Sequence, residues 1–246
     1  MYDPVKDGVD KSVKAVSYVE APPEAAFGEL VHCFWELKSE GPLDADFILH
    51  ALPDACVNVL FDQADTDIAG VTALHTAHIE LTLGRHFHYV GVQFYPGVWN
   101  GAAEGTVDHY VGEPYGGELP LVATNGALAT HDFPGQLAVL NEFVGVLVDR
   151  GVVAPNPTTA AILRNIDNVH SVADMADVAA VSPRQLQRKL KATTGFAPHD
   201  LLKVLRLQNS FRQDYLLSFA DQSHYTHSFR DITGCTPRQF MDTFDV

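Results

Sequence analysis

Four residues in the stretch 182–198, SPRQLQRKLKATTGFAP, have the types and spacing to read a polar surface. Arg184, Gln187, Arg188 and Lys191 follow the order i, i+3, i+4, i+7, which puts them on one side of a helix, turn after turn. Opposite them runs an apolar stripe of Leu186, Leu190 and Thr193. Arginine offers a donor pair that fits the guanine edge, glutamine a donor and acceptor that fit adenine, and lysine a point charge suited to phosphate. Base-edge contact is therefore the role expected of Arg184, Gln187 and Arg188, and phosphate contact that of Lys191. A second set, Ser223, His224, His227 and Arg230, stands in the equally polar stretch DQSHYTHSFRDITGCTP, 221–237. On charge alone an ordinary solvated helix face looks the same. The framework around the residues has to separate the two readings.

That framework repeats. At a constant offset of 39 positions Leu186 matches Tyr225, Leu190 matches Phe229, Lys191 matches Arg230, Thr194 matches Thr233, Gly195 matches Gly234 and Pro198 matches Pro237. Each copy opens on a capping residue, Ser182 or Asp221, and closes on a glycine suited to the left-handed position after a helix. Ahead of the first copy, SVADMADVAAV predicts a short helix over 172–179 with Met175, Ala176 and Ala179 turned inward, one tight turn before Ser182. Two helices so joined are a helix-turn-helix.

With these elements in order, residues 163–206 resemble the first helix-turn-helix unit of the AraC/XylS family of bacterial transcription regulators, and 219–240 resemble the end of the second. The segments SPRQLQRKLKATTGFAP, RLQ, FADQSHYTHSFRDITGCTP and RQF fall in the family's order, while YVEAPP, LVHCFWEL, LPDACVNVLF and VGVQFYPGVW are similar to the cupin-like effector domain of one AraC subgroup. The resemblance implies two recognition helices in successive major grooves of a double-stranded operator, joined by a central helix, here PHDLLKVLRLQNSFR. It also implies a small-molecule effector or a change of dimerisation acting through the N-terminal domain, with a homodimer as the expected assembly. Two departures stand out. Ala180 occupies a turn position where the family has glycine, at a backbone conformation favouring positive φ. Between the units only RLQNSFRQDYLLSF is present, so the second unit's own first helix looks absent. Tyr225, Phe229 and Ile232 then need another cover, with Tyr215, Leu216, Leu217 and Phe219 the nearest candidates.

Composition agrees with a two-part chain. The 246 residues carry a formal net charge of −15, yet residues 1–154 hold 6 Lys and Arg against 22 Asp and Glu, while 155–246 hold 10 against 9. Acidic surface repels polyanions, so a nucleic-acid contact belongs to the C-terminal part. The expected division is a β-rich effector and dimerisation domain, 1–152, and a helix-turn-helix domain, 155–246, with Pro155 and Pro157 punctuating the join. The fold class is α+β: a cupin-like barrel or sandwich, closed by a helix near 135–150, followed by an all-helical domain. No basic-then-apolar leader and no run of about 18 apolar residues is present, which points to a cytoplasmic protein with no membrane partner. Cys33, Cys56 and Cys235 are far apart and lack CxxC spacing, so reduced thiols are expected.

Histidine supplies the competing chemistry. His86 and His88 form an HxH pair, and His50, His75, His78 and His109 share the domain, so a metal-dependent cupin-type enzyme is an alternative. Such a site wants a carboxylate about four residues after the pair, where this chain has Val92 and its neighbours. No phosphate loop, nucleophile elbow or EF-hand loop occurs, so no enzyme, no cofactor and no metal is expected. His50, His86 and His88 remain candidates for touching an organic ligand. A further alternative is an AraC-like descendant with impaired DNA binding that acts through protein or ligand contacts.

Overall fold

The computed structural model describes residues 2–4, 9–100, 112–212 and 222–245, with the side chains of 212, 222–225 and 245 excepted. Runs of β-branched and aromatic residues in the first hundred positions form β1 (Val9–Asp10), β2 (Val16–Ala21), β3 (Val31–Ser39), β4 (Phe47–Ala51), β5 (Val57–Asp62), β6 (Ala69–Val71), β7 (Ile79–Gly84) and β8 (His88–Phe94). Five of them make one antiparallel sheet in the order β2-β3-β8-β5-β6, and β4 pairs with β7.

Pleating sorts the side chains of the large sheet between two cores. Phe34, Val59, Phe61, Val90, Val92 and Phe94 are buried on one face, against Leu128, Leu140, Phe143, Val144 and Leu147 of α1 (Leu121–Leu128) and α2 (Phe133–Asp149). Leu37 and Tyr89 point the other way and join Phe47, Leu49 and Leu83 of the β4–β7 pair. β8 is thus covered on both sides, as its bulky residues at alternate positions predict. Gly91 lies opposite Trp35 in the register, and a Cβ there would collide with the indole, whose Nε1 donates to Asn58 at 3.1 Å.

α1 is an addition to the sequence reading. LVATNGAL has no clear apolar stripe because Thr124, Asn125 and Gly126 interrupt it. Buried Asn125 holds this helix instead, its Nδ2 donating to the carbonyls of Asp62, Thr66 and Ile68 around the β5–β6 turn.

From residue 157 onward the chain is helical: α3 (Pro157–Arg164), α4 (Val172–Val178), α5 (Pro183–Thr194), α6 (Pro198–Arg212), α7 (Gln222–Thr233) and α8 (Pro237–Thr243), before the two-residue strand β9 (Phe244–Asp245). The interval with Pro155 and Pro157 separates α2 from α3, where the side chain of Asn156 accepts from the backbone amides of Thr158 and Thr159 and donates to Gly97 O at 3.0 Å. Ile162, Leu163, Met175, Ala176, Leu186, Leu190, Leu202 and Leu205 form the core of the helical region.

The sheet region and the helical region share packing. Tyr2, Ala55 and Cys56 enter the helical core, and Leu52 joins Leu207, Phe229, Ile232 and Phe240 in a further cluster. Gln208 Nε2 donates to Pro53 O at 2.9 Å, and β1 pairs antiparallel with β9, joining the two ends of the described chain. Among the described residues no helix is long and apolar enough to cross a membrane.

Candidate nucleic-acid interface

α5 is fixed at both ends by local chemistry. Ser182 Oγ accepts from the Gln185 amide at 3.3 Å, and Gln185 Oε1 accepts from the Ser182 amide at 2.9 Å. This reciprocal cap satisfies donors that a helix start leaves unpaired. Pro183 occupies the first turn, where its missing N–H costs nothing. At the far end Thr194 Oγ1 donates to Leu190 O at 2.7 Å, and Gly195 takes φ +72°. Leu186, Leu190 and Thr194 are buried, which corrects the stripe by one position: Thr193 is half-buried, its hydroxyl donating to Lys189 O.

α4 lies one turn before. Met175 and Ala176 are buried in contact with the α5 stripe, and the Val181 amide returns to Ala176 O at 3.0 Å. Between them Ala180 takes φ +52°, the left-handed conformation expected at that position. The outer face of α5 carries Arg184, Gln187 and Arg188, all exposed, with Lys189 beside them and no acidic residue in the helix. Lys191 is exposed too, but its Nζ donates to Gly195 O at 2.7 Å. It therefore caps its own helix, and reaching a phosphate requires giving up that bond.

The second copy repeats the first at atomic level. Thr233 Oγ1 donates to Phe229 O at 2.9 Å, Gly234 takes φ +80°, and Pro237 opens α8. His227 and Arg230 are exposed, with His227 Nδ1 3.2 Å from Asp231 Oδ1, so a carboxylate stands beside one of the proposed contacts. Ser223 and His224 lie on the backbone of α7, but their side chains are outside the described residues, as are Asp221 and the side chain of Tyr225. So are Tyr215, Leu216, Leu217 and Phe219. Phe229 and Ile232 nevertheless have a cover. Phe211 and Phe240 meet Phe229 at ring distances of 5.4 and 5.8 Å, and Leu207 and Leu52 complete the cluster. Leu52 comes from the sheet region.

Histidines from the sheet also cap the end of α7. His50 Nε2 bonds Thr233 O at 2.8 Å, while the His78 amide and its Nδ1 bond Ile232 O at 2.7 and 3.2 Å. The two rings stack at 4.4 Å, and burial pushes the pKa of His50 below its ordinary value. His86 and His88, the other candidates for touching an organic ligand, have different partners from His50. β8 begins at His88, whose Nε2 meets Glu36 at 2.9 Å, while exposed His86 meets the Ser39 hydroxyl at 3.0 Å. Each has been drawn to a different partner on β3. His109 lies outside the described residues. Burial pushes the Cys33, Cys56 and Cys235 thiols up.

A cleft of about 210 Å³ opens where the sheet region meets α3, lined by Tyr95, Val98, Asn156, Thr159, Leu163 and Arg164 among others. None of His50, His86 and His88 lines it. Sequence reasoning missed this cleft because its walls come from three separate stretches of the chain, at Gly28 and Glu29, at Tyr95 and Val98, and from Pro155 to Arg164, that carry no shared pattern. The sequence groups His78 with the other histidines of the domain, but no local pattern places it against the end of α7.

A family model described as a domain of unknown function, DUF6597, matches residues 19–112. None of the curated proteins matches the chain. Among solved structures the chain is similar to ToxT from Vibrio cholerae O395, at 10% identity and a TM-score of 0.43, over 93% of this chain and 98% of that one. A second ToxT structure from Vibrio cholerae, in a P21 form, gives 8% identity and a TM-score of 0.44, over 94% and 98%. Wild-type ToxT from Vibrio cholerae strain SCE256, bound to unsaturated fatty acid, gives 10% and 0.40, over 99% and 98%.

Proposed function

We propose that this chain is a cytoplasmic, bacterial transcription regulator of the AraC/XylS type, in which residues 155–246 bind a double-stranded DNA operator and residues 1–152 receive a small-molecule effector and form a homodimer. The observation that carries the reading is α5: a capped helix behind a left-handed turn, seated on α4, with Arg184, Gln187 and Arg188 exposed on an acid-free helix. Those side chains have the donors and acceptors that base edges require. The cleft beside Tyr95 and Arg164 supports an effector site, because it lies between the sheet and the first helix of the DNA-binding part. Regulation then takes the form of a ligand changing how that helix sits.

The reading is tested by titrating operator DNA from the region upstream of its own gene, followed by fluorescence anisotropy at several salt concentrations. Arg184→Ala and Arg188→Ala are each expected to weaken specific binding by roughly 5- to 100-fold, the range for a lost bidentate base contact. Unchanged binding by both variants overturns the assignment. One observation favours a second reading, a descendant with impaired DNA binding: the end of α7 is built into the contact with His50 and His78. The same titration separates the two, since that reading gives no specific complex with the unaltered chain.

A further inference from the structure

His50, His78 and Glu80 form a cluster that DNA binding does not use. His50 in β4 and Glu80 in β7 are directly opposed in the antiparallel register, and His78 precedes Glu80 by two positions. Pleating therefore sets His50 and Glu80 on one face of the strand pair, while Leu49, Leu81 and Leu83 turn to the core on the other, and His78, just before β7, stacks on His50 at 4.4 Å. One ligand atom from each of the three lies within 4.8 Å of the other two.

Hydrogen bonds fix which nitrogen of each imidazole carries its hydrogen. His50 Nε2 and His78 Nδ1 each bond a carbonyl in the last turn of α7. A carbonyl only accepts, so those nitrogens carry the hydrogens, and the lone pairs fall on His50 Nδ1 and His78 Nε2. An N–H bonded to a backbone carbonyl is the usual device for fixing the tautomer and ring plane of a ligating histidine. The stacked rings of His78 and Phe244 further hold the His50 plane, at 4.4 and 4.8 Å.

We propose that His50, His78 and Glu80 bind a divalent first-row transition-metal ion, zinc being the fitting case, at the contact between the β4–β7 pair and the end of α7. Two imidazoles and a carboxylate, with water in the remaining position, are a known zinc donor set, whereas calcium and magnesium want oxygen alone. Ligand atoms on tetrahedral zinc stand roughly 3.3 Å apart at bond lengths of about 2.0–2.1 Å. Glu80 is exposed, so its side chain has the freedom to close the difference. An ion held there braces α7 against the sheet, because both histidines grip the helix with their other nitrogens. The inference goes beyond DNA binding and does not depend on it.

The test is zinc chloride titrated by calorimetry into the full-length, tag-free chain, with melting followed in parallel. One ion per chain is expected, together with a melting temperature that rises with zinc concentration. Glu80→Gln is the decisive variant, since among the described residues Glu80 makes no hydrogen bond to α7: it should weaken zinc binding tenfold or more and leave the zinc-free melting temperature unchanged. His86→Ala combined with His88→Ala should leave zinc binding as it is. Absence of stoichiometric uptake by the unaltered chain, or uptake that Glu80→Gln and His50→Ala leave undiminished, overturns the proposal.

Discussion

At position 180 the backbone takes a conformation that glycine adopts freely and alanine does not. The φ of +52° brings the Cβ of Ala180 toward the following carbonyl, a strain of roughly 1–2 kcal/mol for a residue with a side chain. The strain persists because burial of Met175 and Ala176 against Leu186 and Leu190 dictates how the chain must turn between α4 and α5. Ala180→Gly relieves it, although glycine gives back part of the gain through the greater freedom of its unfolded chain. The expected net effect is stabilisation by about 0.5–1 kcal/mol, read as a higher denaturant midpoint with unchanged slope. The equivalent turn residues of the two copies, Gly195 and Gly234, are true glycines with positive φ, and neither gains from substitution.

At the scale of elements, the strength of a pattern decided what could be read beforehand. α5 was legible nearly to the residue: Ser182, the four-spaced leucines and Gly195 are local signals, and the local hydrogen bonds they predict are made. The faces of β8 were legible for the same reason, since alternation alone assigns Val90, Val92 and Phe94 to one side. What lay hidden depends on distant contacts. Nothing in DQSHYTHSFRDITGCTP tells that its helix ends on His50 and His78, more than 150 positions earlier in the chain. Nor does the missing cover for Phe229 announce that Leu52 will supply part of it. α7 therefore owes its place to aromatic packing more than to its own sequence. Truncating Phe229, which is 2% exposed among Phe211, Phe240 and Leu207, should cost about 3–5 kcal/mol. Hydrogen exchange on Phe229→Ala is expected to show lost protection across α7 and α8, with α4 and α5 still protected. Uniform loss across both pairs would mean that the two copies do not stand on separate supports.

For the whole molecule, the question is whether the acidic sheet region and the nearly neutral helical region act as one body. Their contacts argue that they do. Leu52 packs into the cluster around Phe229, Ala55 and Cys56 enter the core built on Leu186 and Leu190, and β1 pairs with β9. Segment 52–56, between β4 and β5, thus reaches the supports of both copies. An apolar junction of this kind couples unfolding, since opening either side exposes surface that the other had covered. Differential scanning calorimetry should therefore record one transition for the full chain, with calorimetric and van't Hoff enthalpies in agreement. Leu52→Ala removes a side chain that is 6% exposed and should cost about 2–5 kcal/mol. Because the loss falls on the cluster that seats α7 and α8, the variant is expected to split the transition, with the helical end melting first. A single transition that merely moves to lower temperature would place the coupling in the Ala55–Cys56 contact instead. Two transitions in the unaltered chain would mean that the halves are joined only by the linker before α3. Any signal passing from the sheet to α5 would then have to travel through that linker alone.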